Sequence, residues 1–381
     1  MSVPIDYEIL RLIWWLLLGV LLIGFAILDG FDLGVATLLP FVAKNDTEKR
    51  ILINTVGPVW EGNQVWFVLG GGAVFAAWPA LYALSFSGFY LAMYVILFTI
   101  ILRPVGFKFR SKMEGTKWRA FWDACLFLGG FVPTLICGVA IGNTLQGVPF
   151  SFDEWLRSTY HGTFFGLLNP FALLCGVVSV LMCIRHGAIY LSFKVDSPIK
   201  ERLQKVVFHS TILFIVLVVI AGFWLSYLPF YKITSVLDHN GPSNPLYKAV
   251  CITTDSFLNN FRLYPWMILA PVFCVFGAIL SLIFFKREKS GLSFIFSSLS
   301  IAGTIGQVGC YLFPIILPSS SHPSHSLTVF DASSSQLTLF IMTIAAVIFV
   351  PIVISYTSWL YKIMAGKLTN ETIDDNSKEM Y

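Results

Sequence analysis

The sequence predicts an all-α polytopic membrane protein: a single integral membrane domain over residues 1–381, with about nine helices forming two four-helix units and one peripheral helix. Three observations carry that prediction. Hydrophobic residues make up 56% of the chain and charged residues 12%, against about 25% charged in an ordinary soluble protein. The apolar residues gather into runs of the roughly 20 residues that a bilayer demands. The basic residues alternate from loop to loop. So little charge cannot coat globular domains in water, and the hydrophobicity excludes disorder. Continuous runs also exclude a membrane barrel, whose segments are about 10 residues long.

The runs lie near 10–41, 50–78, 80–103, 119–145, 162–186, 206–229, 264–285, 292–316 and 336–361. The first follows Asp6 and Glu8 and lacks a basic start or a small-residue cleavage site. It therefore reads as a retained helix rather than a cleaved signal. Twenty of the 25 Lys and Arg residues fall in alternate connections and the tail: Lys44, Lys49 and Arg50; Arg103 to Arg119; Arg185 to Lys205; Lys286 to Lys289; and Lys362, Lys367 and Lys378. Arg11, Arg157, Lys232, Lys248 and Arg262 fall on the other side. By the positive-inside rule the amino end is expected outside and the carboxyl end in the cytoplasm. The net charge of +4 is thus topological. It implies contact with anionic lipid headgroups, not nucleic acid.

Charge inside the bilayer costs about 2.5–3.5 kcal/mol per residue on insertion scales, so each such residue needs a reason. Span one carries Asp29 and Asp32, which at a spacing of three share one helix face. Like charges that close favour a group that binds and releases protons; capping and pairing near the headgroups is the alternative. Span two reads Asn54-Thr-Val-Gly-Pro58-Val-Trp-Glu61-Gly-Asn-Gln. Glu61 lies 11 residues past Arg50, roughly 16 Å along a helix, near mid-membrane. Pro58 should break the helix, which is tolerated only where protein or a water-lined cavity satisfies the freed backbone. A proton-relay station fits Glu61, and so does a protonated side chain bonded to a neighbouring helix. The spacing of seven places Asn54 and Glu61 on one face. Gly70-Gly-Gly72 reads as a packing face, not a phosphate loop.

Arg103 closes span three, where it can pair with Asp29 or Asp32 or reach headgroups. Asp123, one turn past Arg119 on span four, is expected to pair with it. His161, His186 and His209 fall near span ends, and His239, His322 and His325 in outside loops, so the chain offers no clear haem site of its own. Seven cysteines without a CxxC pair give neither a metal framework nor a disulfide pattern, and no metal ligands are assigned.

Several blocks taken together resemble subunit II of the cytochrome bd quinol oxidases: Asp29-Gly-Phe-Asp-Leu-Gly, Trp60-Glu-Gly-Asn-Gln-Val-Trp, Phe75-Ala-Ala-Trp-Pro, Phe86-Ser-Gly-Phe-Tyr, Arg103-Pro-Val-Gly-Phe, Gly142-Asn-Thr-Leu-Gln-Gly-Val-Pro-Phe, Leu168-Asn-Pro-Phe and Ser335-Gln-Leu-Thr-Leu. They run from near the amino end to the last span; the outside loop at 230–263 and the charged tail match least. The resemblance implies a heterodimeric terminal oxidase in the inner membrane of a bacterium. It would oxidise quinol at the outer side and reduce oxygen to water with protons from the cytoplasm. Haem b and haem d would sit on the partner, subunit I. This chain would stabilise that partner and supply a proton-uptake path through Asp29, Asp32, Glu61 and Arg103, with no catalytic residue of its own. The resemblance leaves room for a bound quinone, which no motif locates, and for a small single-helix accessory subunit. One departure stands out: Asp is common in the family where this chain has Glu61, and the longer side chain moves the acid by a bond length. Two other classes are weighed. A proton-coupled secondary transporter also has kinked helices and midplane acids, but no inverted repeat is visible. A purely structural membrane subunit would use the acids as packing groups.

Overall fold

The computed structural model describes residues 3–253, 259–364 and 366. Lys367 and Lys378, counted above for orientation, lie outside them. The described residues are mostly helical, as a sequence of long apolar runs requires, because a helix satisfies its backbone groups internally.

In order these are α1 (Tyr7–Val42), α2 (Asp46–Val56), α3 (Trp60–Ala77), α4 (Pro79–Gly88), α5 (Tyr90–Phe109), α6 (Thr116–Gln146), α7 (Pro170–Lys194), α8 (Ile199–Leu225), the short α9 (Asn259–Leu263), α10 (Leu269–Lys286), α11 (Ser290–Leu312) and α12 (Gln336–Ile363). Three small antiparallel hairpins, Phe150–Phe152 with Ser158–Tyr160, Phe230–Ile233 with Val250–Thr253, and Ile315–Leu317 with Leu327–Thr328, close the end opposite the basic loops. Among the described residues eight helical segments are long and apolar enough to cross a membrane. The expected second span is the one divided, into α2 and α3. Pro58 cannot donate a backbone hydrogen bond; α2 stops at Val56 and the chain turns through Gly57–Val59 before α3 starts. The third span is likewise jointed, at Phe89.

Helix α1 is the pivot. It packs against α3, α6 and α7, with α5 beside α6; α8, α10 and α11 join α7 to complete a second group of four, and α12 lies at the edge against α1 and α3. This matches the expected two units and peripheral helix. The contact between α1 and α7 depends on Gly34, where a Cβ would run into the Cys183 carbonyl oxygen.

Span five is displaced from its expected limits. Residues 162–169 are not in an α-helix; α7 starts at Pro170, where the Asn169 side chain accepts from the Ala172 N–H. This is an N-cap with proline in the first turn. The helix then runs on to Lys194. Arg185 and His186 consequently sit inside the helix, fully buried, rather than at its basic end. Both His186 nitrogens are engaged, with Ser297 Oγ at 2.9 Å and the Ile27 carbonyl at 3.1 Å. The three guanidinium nitrogens of Arg185 have no hydrogen-bond partner among the described residues, and the group lies 4.5 Å from the Phe214 ring centroid.

Ion pairs knit the basic end. The expected Asp123–Arg119 pair does not form. Asp123 instead takes Arg110 at 2.5 Å and Lys49 at 2.9 Å, while Arg119 pairs with Asp46 at 2.8 Å. The chain turns at Arg110–Lys112 before α6 begins, which brings Arg110 beside the start of α6. Glu48 on α2 holds Arg202 on α8 at 2.6 Å, and its carboxyl lies below the ordinary value because of that hydrogen bond, despite partial burial. At the opposite end Arg11 is fully buried. It donates to Ser333 Oγ at 2.8 Å and to the carbonyls of His239 at 2.6 Å and Gly241 at 3.0 Å.

Candidate functional site

The acids of span one lie where α1 meets α3 and α5. Asp29 and Asp32 are 1% and 2% exposed, and Arg103 is 1% exposed. A spacing of three turns both carboxyls to the same side of α1. Arg103 Nη2, from α5, donates to Asp29 Oδ1 at 2.9 Å. Gly129 on α6 gives the arginine stem its room, since a Cβ there would stand 3.1 Å from Arg103 Cγ. The guanidinium lies 5.9 Å from the Trp60 ring. Arg103 is therefore an internal partner of Asp29 and does not reach out to headgroups.

Asp32 is held differently. Asn63 Nδ2, from α3, donates to Asp32 Oδ2 at 2.8 Å, and Tyr361 on α12 donates its hydroxyl hydrogen to Asn63 Oδ1 at 2.6 Å. Asp29 Oδ2, Asp32 Oδ1 and Arg103 Nη1 make no hydrogen bond among the described residues. One guanidinium balances one of two buried carboxyl groups. The other has an amide donor but no cation bonded to it among the described residues, and an unbalanced buried charge is costly.

Glu61 is not part of this cluster. It is exposed on the side of the chain, in the first turn of α3. Two residues along a helix turn it about 200°, so Glu61 and the buried Asn63 stand on opposite sides of α3. Asn54 is buried and donates to the Arg50 carbonyl. The expectation that it shares a face with Glu61 fails, because the break at Gly57–Val59 resets the helical phase. Of the four expected residues the structure thus unites Asp29, Asp32 and Arg103 and sets Glu61 apart. Asn63 and Tyr361 were not singled out in the sequence. Asn63 stands within the Trp60 block; Tyr361 lacked any signal beyond a polar atom near the end of an apolar run.

The histidines bear on haem. His186 spends both nitrogens on protein partners. His239 pairs with Glu8 and stacks on Phe330, and His209 contacts the Lys205 carbonyl. His161 meets Ser151, and His325 accepts from the Phe152 N–H. Of these, His186 is the one with both ring nitrogens bonded within the described residues. Among the described residues no group of three or more His, Cys, Asp or Glu is placed to hold a metal ion.

A bundle of apolar, membrane-length helices packed around buried acids defines an integral membrane protein with ionisable groups in its interior. The family model for cytochrome bd terminal oxidase subunit II matches residues 10–364. The chain is 48% identical to the cytochrome bd-I ubiquinol oxidase subunit 2 of Escherichia coli over 378 residues, covering 99% of this chain and 100% of that one. It is 30% identical to the cytochrome bd ubiquinol oxidase subunit 2 of Bacillus subtilis over 359 residues, 94% of this chain and 97% of that one. The bd oxidase structure from Geobacillus thermodenitrificans aligns with a TM-score of 0.68 at 15% identity, over 93% of this chain and 98% of that one; this likeness speaks for the fold. The chain belongs to the cytochrome bd terminal oxidase subunit II family. It is a membrane subunit of a quinol:oxygen oxidoreductase of the respiratory chain.

Proposed function

We propose that this chain stabilises a haem-bearing subunit I, which carries haems b and d, and supplies it with a proton-uptake path. The basic end faces the cytoplasm and the hairpin end faces outward, as the distribution of Lys and Arg argues. Quinol is oxidised on the outer side, and the protons that form water enter through this chain. Asp29, held by Arg103, keeps one buried charge balanced. Asp32 exchanges a proton. Glu61 stands on the far side of α3 and receives it past the broken segment Gly57–Val59, presenting it to the neighbouring subunit. A quinone or a small accessory subunit bound here is a further part of the reading that the described residues do not locate.

The observation that carries this reading is the Asp29–Asp32 pair, buried in a membrane-crossing helix with a single guanidinium to balance it. Exposure of Glu61 supports the handover, because a carboxyl on the lateral surface of a membrane chain is costly unless a partner covers it. Glu61→Gln and Asp32→Asn, each co-expressed with the haem-bearing subunit, are expected to lower oxygen consumption and charge movement in vesicles by at least about 10-fold, as loss of a positioned proton-transfer group does. Unchanged values in both variants would leave the acids as packing groups and this chain as a structural subunit.

A further inference from the structure

The contact between Tyr361 and Asn63 joins the last helix to the buried acids. An asparagine amide has chemically unlike ends, two N–H donors and one carbonyl acceptor. Which end faces Asp32 decides which form of that carboxyl is favoured. The N–H end stabilises an oxygen that carries no proton; the carbonyl end stabilises an acid O–H. Asn63 presents its N–H to Asp32 Oδ2 and its carbonyl to the Tyr361 hydroxyl. A rotation of the amide by half a turn would exchange the two ends at almost no steric cost. It is opposed by Tyr361, whose hydroxyl hydrogen the Asn63 carbonyl accepts: a turned amide would present only N–H to the phenol oxygen and take that acceptor away from the hydroxyl hydrogen.

We propose that Tyr361 is a positioning residue that locks the Asn63 amide with its N–H toward Asp32, and so sets the pH range over which Asp32 exchanges its proton. The groups that face Asp32 are few. Asp29 lies on its own helix, Arg103 comes from α5, Tyr190 from α7 and Tyr361 from α12. The thiols of Cys137 on α6 and Cys183 on α7 lie toward Asp29. Of these only Tyr361 is bonded to the amide. Tyr190 stacks on Phe31 at 4.0 Å and donates its hydroxyl to the Thr55 carbonyl, while the Tyr361 ring meets the same Phe31 edge-on at 6.4 Å. Two phenols therefore share one aromatic neighbour, and one of them controls the amide. The inference rests on the proton-uptake reading but is tested separately from it.

The test uses the assembled oxidase carrying Tyr361→Phe, Tyr190→Phe or Asp32→Asn. The readouts are the pH profile of oxygen consumption and the infrared carbonyl band of a protonated carboxyl, assigned to Asp32 by its loss in Asp32→Asn. Tyr361→Phe keeps the ring and frees the amide to turn. It is expected to displace the pH profile by about one unit, the equivalent of one hydrogen bond to a charged group, and to strengthen the Asp32 band. Tyr190→Phe is expected to move neither. An unchanged profile and band in Tyr361→Phe, or equal displacement in both tyrosine variants, overturns the lock in favour of packing. Failure of Tyr361→Phe to assemble overturns it too, by assigning the hydroxyl to folding. If Asp32→Asn and Glu61→Gln both leave turnover and charge movement unchanged, the uptake reading fails, while the infrared band still reports whether Tyr361 governs Asp32.

Discussion

Arg103 and Arg185 are both buried guanidinium groups with opposite surroundings. Arg103 is matched by Asp29 at 2.9 Å. Removing one partner of a buried pair leaves the other charge uncompensated, at about 3–5 kcal/mol. Asp29→Asn is therefore expected to lower the thermal midpoint of the purified complex markedly. Asp32→Asn should do so far less, since an amide oxygen can still accept from Asn63 Nδ2. Arg185 has no hydrogen-bond partner among the described residues and lies against the face of Phe214. Replacing buried ions by apolar side chains of similar volume has been neutral or stabilising by about 1–4 kcal/mol, so Arg185→Met is expected to hold or raise the midpoint. A clear drop in thermal unfolding of that variant would show that the cation is matched in the assembled enzyme.

The elements are joined by two kinds of contact, and each has its own sensitivity. The crossing of α1 and α7 is a backbone contact. Gly34→Ala would force a methyl against the Cys183 carbonyl, where overpacking costs about 1–3 kcal/mol or more. Loss of assembled, haem-bearing complex is expected. Gly222→Ala on α8, whose Cβ would meet nothing within 4 Å, should assemble normally. The α2–α8 joint is electrostatic. Arg202 lowers the Glu48 carboxyl in the folded state, so the stabilisation is complete above the ordinary glutamate value of 4.5 and fades as the pH falls through the lower folded value. Glu48→Gln should therefore lower the thermal midpoint at neutral pH, with the gap to the parent closing in acid. The spans themselves were legible because apolar runs of bilayer length have few other uses. The limits of α7 were not, because residues 162–169 are nearly as apolar as a helix, and only the Asn169–Pro170 cap decides where it starts.

Seen as one molecule, the chain has a basic end and a hairpin end, and the orientation argued from Lys and Arg can be tested in intact cells. Ser321→Cys should accept an impermeant thiol reagent from outside, and Lys112→Cys only after the membrane is opened; the reverse pattern would invert the topology. How much of the site could be read beforehand follows the same division by charge. Asp29, Asp32 and Arg103 announced themselves because ionisable groups are rare at such depths. Asn63 and Tyr361 did not, being polar without charge, and their meeting depends on how α3 and α12 are rotated, which no run of residues reveals. Glu61 was placed on the correct helix, but the phase shift at Pro58 turned it outward. Arg11 has a consequence of another kind. Its guanidinium is bonded to His239, Gly241 and Ser333, which are synthesised some 230 to 320 residues later. Helix α1 thus holds a guanidinium whose acceptors come from segments made much later. A polypeptide cut short before Ser333 would leave Arg11 buried on α1 without one of its acceptors, at the cost of an unmatched buried charge.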